Sequence, residues 1–156
     1  MRIKGLNLGG WLVLEKWMTP ELFHKTKAED EYHLLKSLGM KKNEMLKNHR
    51  DTFITFDDFK WIRDYGIDTV RLPIGYWAFK AEEPYVDAKE YIDKTFKWAE
   101  ELGLKVVIDV HAAPGCQNGF DNGGLSGVCE WHKDPLNIQK TVDFIEEIIK
   151  RKNKNS

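Results

Sequence analysis

The run Lys105-Val106-Val107-Ile108-Asp109-Val110-His111 limits what this chain can fold into more than any other stretch. It is short and rich in β-branched residues, and it flows directly into Ala112 to Gly124, a loop dense in glycine, asparagine and aromatic residues. That pattern predicts a buried parallel strand delivering polar groups to a site. Two other segments finish the same way. Gly5-Leu6-Asn7-Leu8 breaks at Gly9-Gly10 before Trp11, and Asp68-Thr69-Val70-Arg71-Leu72-Pro73-Ile74 is stopped by proline. Between the second and third runs, Ile92, Phe96, Ala99 and Leu102 recur at helical spacing, with Gly103 placed for a C-terminal cap. Strand, helix and strand in that order imply a parallel sheet.

The intervening segments read as support. Trp11 to Pro20 is too apolar for an ordinary surface loop and should fold back over the strand ends, with Glu15 its one acid. From about Lys27 to Asn48, two short amphipathic helices separated by Gly39 form an insertion covering the flank, and His24, His33 and His49 are assigned to the surface without a role. Thr55 and Asp58 form an acidic helix-start box, and the helix closes at Gly66. Arg71, a charge among buried neighbours, calls for an acidic partner. The aromatic segment Ile74 to Phe79 either faces the site or packs beneath the next helix. Asp134-Pro135 opens a last helix carrying Ile138, Val142, Ile145 and Ile149 on one face. One domain over residues 1–150 and a polar tail over 151–156 result.

With 156 residues, 42% hydrophobic and 31% charged, the chain can bury one ordinary core. A net charge of −1 with interspersed signs lacks the basic face that a nucleic-acid partner requires. No apolar run approaches the roughly 18 residues of a membrane span. The N-terminus enters Gly5 to Trp11 at once, leaving no room for a signal peptide, so the chain as written is expected to be cytoplasmic. Cys116 and Cys129 read as free thiols, a single loop staple being the alternative.

Polar residues at the ends of parallel strands occur in closed eight-unit barrels and in open doubly wound sheets. Gly9-Gly10-Trp11 is not followed by a glycine-spaced phosphate loop, and Gly115 to Gly124 lacks a Gly-Lys-Ser/Thr ending, which argues against a nucleotide cofactor. Asp109, His111, Cys116, Cys129 and His132 lie close in sequence, yet no pair has the short spacing of a structural zinc site, so no metal is expected. Sugar recognition fits better. Trp11, Trp17, Tyr76, Trp77, Phe120 and Trp131 could stack on pyranose faces, while Asn7, Glu15, His111, Asp121 and Asn122 could bond hydroxyls.

Five motifs then occur in order: Asn7-Leu8-Gly9-Gly10-Trp11-Leu12-Val13-Leu14-Glu15, Met18-Thr19-Pro20, Arg71-Leu72-Pro73-Ile74-Gly75-Tyr76-Trp77, Asp109-Val110-His111-Ala112-Ala113-Pro114-Gly115 and Gln117-Asn118-Gly119-Phe120-Asp121-Asn122. Together they resemble the N-terminal part of glycoside hydrolase family 5 enzymes of the exo-β-1,3-glucanase (glucan 1,3-β-glucosidase) type. The resemblance implies the first three βα units of an incomplete (β/α)8 TIM barrel, with the helical insertion after strand 1. It implies a retaining hydrolase of β-glucans or glucosides that uses no cofactor. By position, Glu15, His111, Asp121 and Asn122 would bind sugar hydroxyls, Phe120 would line the cleft entrance, and Arg71 would support the nucleophile. Trp17 would contact substrate too, although Lys16-Trp17 stands where many relatives carry Pro-Tyr. The family's two catalytic glutamates follow the fourth and seventh strands, so no catalytic residue is expected here, and Asp109 is read as lying within its strand, short of its mouth. The alternative is a non-catalytic carbohydrate-binding or truncated module. Open barrel edges further predict self-association.

Overall fold

The computed structural model describes residues 2–154. Three strands, β1 (Gly5–Asn7), β2 (Thr69–Gly75) and β3 (Lys105–Ala112), form one parallel sheet with β2 in the centre. The register aligns Gly5 with Thr69 and Thr69 with Lys105, so Asn7, Arg71 and Val107 lie in one row across the sheet. It is regular until the mouth, where Ile74 opposes Val110 but Gly75 opposes Ala112, leaving His111 as an extra residue. Such a bulge re-aims a side chain locally.

The alternation of the strands decides what is covered. Val70, Leu72 and Ile74 are fully buried on one face of β2 and, with Val106, Ile108 and Val110 of β3, pack under helices. Those helices are α4 (Phe56–Asp64), α5 (Lys89–Leu102) and α6 (Pro135–Lys154), which contribute Phe59, Ile62, Ile92, Ala99 and Phe144. The opposite face is more open on β3, where Val107 is 50% exposed. A strand hidden on both sides, as the β-branched run predicted, is therefore found only by half.

Local signals locate the helices. Asp58 receives both the Thr55 N–H and hydroxyl at 2.7 Å, closing the start of α4. Gly103 ends α5 in the left-handed region at φ 68°, which favours glycine. Trp11 is wholly buried, stacked on Trp98 of α5 at 6.4 Å and edge-on to Tyr91. A second core joins Val13 and Leu14 to the remaining helices, α1 (Pro20–Phe23), α2 (Glu31–Leu38) and α3 (Lys42–Phe53), through Phe23, Leu34, Leu35 and Leu46. Segment 11–14 is thus wedged between two cores.

In α6, Phe144 and Ile148 pack inward, while Ile138, Val142, Ile145 and Ile149 form an exposed stripe. Among the described residues, no helix is long and apolar enough to cross a membrane. Cys116 and Cys129 are both free thiols, which removes the loop staple. Residues 155 and 156 of the polar tail lie outside the described residues.

Candidate functional site

At the carboxyl ends of the strands, one chain of polar contacts crosses the open face. Arg71 Nη1 donates to Asn7 Oδ1 at 2.8 Å, and Nη2 pairs with Asp109 Oδ2 at 2.6 Å. The same carboxylate oxygen faces His111 Nδ1 at 2.7 Å. That contact calls for a proton on Nδ1, and the other ring nitrogen, Nε2, points toward Glu15. Nε2 lies 3.6 Å from Glu15 Oε1 and is buried without a hydrogen-bond partner. On its other oxygen, Glu15 receives the Trp17 indole N–H at 3.0 Å. The acidic partner that Arg71 needed is Asp109.

The Glu15 loop is held by its own backbone, since the Met18 and Thr19 amides both donate to the Glu15 carbonyl, at 2.9 and 3.1 Å. The loop after β3 is drawn onto the strand by Gln117, which donates to the His111 carbonyl at 2.8 Å and accepts from the Ala113 amide at 3.1 Å. This loop carries Phe120 and a short 3-10 turn, Asp121–Gly123, with Asn122 Oδ1 accepting from Asn118 at 3.0 Å. The structure therefore brings Glu15, Trp17, Arg71 and His111 together. Phe120, Asp121 and Asn122 stand on the neighbouring loop and share no hydrogen bond with that group.

The aromatic candidates divide sharply. Trp17 is 71% and Phe120 67% exposed, so both can offer a ring to a ligand. Trp11 and Trp77 cannot, because both are fully buried. Trp77 stacks on Tyr85 at 3.7 Å, so packing is the outcome for this aromatic segment. A Cβ on Gly75 would lie 2.4 Å from the Trp77 ring, and the indole closes over the backbone there because no side chain intervenes. Tyr76 is edge-on to Trp77, and burial raises its phenol above the ordinary range. Trp131 is partly buried and donates to Thr141 at 3.0 Å.

One reading of the sequence is corrected, that of His49, while the contacts of Asp109, which lies within its strand as expected, and of two buried acids went unread. Asp109 is central to the network, and its spacing of two from His111 on one strand face was the available signal. His49 is buried, its Nε2 bonded to the Gly10 carbonyl at 2.8 Å, and burial pushes the imidazole below its ordinary pKa. Its spacing from Lys42 and Leu46, three of the buried positions of α3 counting His49 itself, could have shown this. Asp30 and Glu31, the first acids of α2, escaped notice although both are completely buried. Glu31 Oε2 accepts the Leu14 amide at 2.8 Å, and burial pushes its carboxyl up to about 7 despite Arg50 nearby. Burial would also raise Asp30, but hydrogen bonds from His33 and Ser126 outweigh it and hold that carboxyl below its ordinary value. Among the described residues, no three His, Cys, Asp or Glu side chains are grouped to hold a metal ion.

The chain is 47% identical over 155 residues to a protein described as probable glucan 1,3-beta-glucosidase A of Aspergillus fumigatus, covering 96% of this chain and 37% of that protein. It is 42% identical to a glucan 1,3-beta-glucosidase of Pichia angusta, again over 96% of this chain and 36% of the relative. It therefore spans little more than a third of the length of these relatives. Among solved structures, rutinosidase from Aspergillus niger superposes with a TM-score of 0.89 at 26% identity, over 96% of this chain and 44% of that one. The fold is accordingly a fragment of a TIM barrel, built as a partial parallel sheet with helices. The profile of Cellulase (glycosyl hydrolase family 5) matches residues 29–155, and the chain belongs to that family.

Proposed function

We propose that this chain is the sugar-holding wall of a retaining β-glucan hydrolase acting on β-1,3 linkages, made of the first three βα units of its barrel. Helices α1 to α3 are then an insertion after the first strand. The observation that carries this reading is the meeting of Glu15, Arg71 and His111 at the strand mouths, with His111 Nε2 3.6 Å from Glu15 Oε1 and no hydrogen-bond partner, beside the exposed ring of Trp17. Neighbouring hydroxyls of a terminal glucose can bond Glu15 and His111, with Asp121 and Asn122 supplying further bonds from the adjacent loop and the exposed rings of Trp17 and Phe120 covering the apolar sugar faces.

Retention needs two carboxyl groups about 5–5.5 Å apart across the scissile bond. Asp109 is already engaged by Arg71 and His111, and Glu15 by Trp17, so neither is free to react. In this reading the reacting glutamates come from polypeptide outside these three units. Arg71, 42% exposed at its side chain, offers its open edge to the nucleophile's carboxylate and keeps it ionised. The unpaired outer edges of β1 and β3 lead the isolated chain to self-associate. The deciding experiment is titration with laminari-oligosaccharides followed by tryptophan fluorescence. Saturable quenching that Glu15→Ala or His111→Ala abolishes is expected; a flat titration of the folded wild type refutes the reading.

A further inference from the structure

The two loops proposed to touch sugar come from opposite ends of the chain, yet both are tied to adjacent residues at the start of α2. Glu31 Oε2 receives the amide of Leu14, the residue before Glu15. Asp30 Oδ2 receives both the amide and the hydroxyl of Ser126, at 2.9 and 2.5 Å, in the loop that carries Phe120 to Asn122. The next residue continues the pattern, since the Tyr32 amide donates to the Gly124 carbonyl at 2.9 Å. Asp30 also caps α2 by accepting the His33 amide at 2.8 Å, so helix and loop share one carboxylate.

Both acids are completely buried, a costly placement for carboxyl groups that a surface helix start does not require. A merely capping acid needs one partner on its own helix. Glu31 bonds no amide of α2 at all, and Oε1 has no partner. We propose that Asp30 and Glu31 are positioning residues that fix the Glu15–Trp17 loop and the Phe120–Asn122 loop against each other, so that both reach the same sugar. The proposal rests on the sugar-binding reading only for its last clause; the fixing of the loops stands on the bonds themselves.

The test follows two local reporters and one affinity in the intact chain. The Trp17 indole N–H resonance, assigned with Trp17→Phe, reports its bond to Glu15, and Ser126 amide exchange reports the other loop. Glu31→Gln keeps an acceptor for Leu14 and should leave the Trp17 resonance in place; Glu31→Leu should shift it. Asp30→Asn keeps a cap for His33 but gives up an acceptor at Ser126, whose amide should exchange at least about tenfold faster. Laminaribiose affinity should fall about tenfold in Glu31→Leu and Asp30→Asn, and little in Glu31→Gln. If Glu31→Leu does not fold, Glu31→Asp, shorter by one methylene, takes its place. Folded variants that lose stability while the Trp17 resonance and Ser126 exchange stay at wild-type values overturn the proposal. If wild type binds no sugar, the sugar reading fails and the two reporters still decide the positioning.

Discussion

Replacing Glu31 with glutamine should make the protein more stable at pH 8 than the wild type while changing little at pH 5. Burial raises the folded-state carboxyl from its ordinary value of 4.5 to about 7, with the Leu14 amide and Arg50 opposing and Asp30 adding to the rise. The native state therefore holds a proton that the unfolded chain has released between those values, and stability falls as pH rises across that window. The gap between 4.5 and about 7, at about 1.4 kcal/mol per pH unit, sets a ceiling of about 3 kcal/mol for the penalty above pH 7. Some of it is already present at pH 5, so about 2 kcal/mol should open between pH 5 and 8 in favour of Glu31→Gln. Glutamine retains the carbonyl that accepts Leu14, so the loop bond is kept. His49 titrates alike in both proteins, and Asp30, held below its ordinary value, stays ionised throughout. Urea unfolding followed by tryptophan fluorescence at the two pH values measures the difference. A pH-independent difference, or a wild type that gains on Glu31→Gln as pH rises, would refute the argument from burial.

Gly124→Ala should destabilise the fold by about 1–3 kcal/mol, because its φ is +79° and a Cβ would meet the Trp77 ring at 2.6 Å; a thermal melt within a degree of wild type would contradict this. Arg71→Lys should change stability by less than about 1 kcal/mol, since the side chain is 42% exposed, while losing the fork that holds Asn7 and Asp109 together. Oligosaccharide titration of that variant should show weaker quenching with an unchanged urea midpoint. Sedimentation of the chain should give a mass above the 18.2 kDa of one copy, and a clean monomer at micromolar concentration would contradict association through the open strand edges.

What could be read in the sequence was what is local. The Thr55–Asp58 box, the Gly103 cap and the three strand endings are short-range signals, and the structure places helices and strands where they occur. The need of Arg71 for an acid was also legible, because a charge in an apolar run is costly wherever the chain goes. The identity of that acid was not, since Asp109 meets Arg71 only through strand pairing. Trp17 and Trp77 show the same limit. Composition gives both a sugar-stacking ring, but one is exposed and the other sealed against Tyr85 by tertiary packing. Asp30 and Glu31 looked like ordinary acids at a helix start, and their reach to Ser126 and Leu14 spans 96 and 17 residues of sequence.

The parallel register has a consequence for biosynthesis. Gly5 meets Thr69 and Thr69 meets Lys105, so each strand must wait for dozens of further residues before its next partner exists. While the polypeptide leaves the ribosome, Trp11 and Leu12 must wait for α5 before a core exists to receive them. Distant pairings of this kind form slowly and leave apolar surface bare in the meantime. Until α5 has been made, the nascent chain is accordingly at its most prone to aggregate.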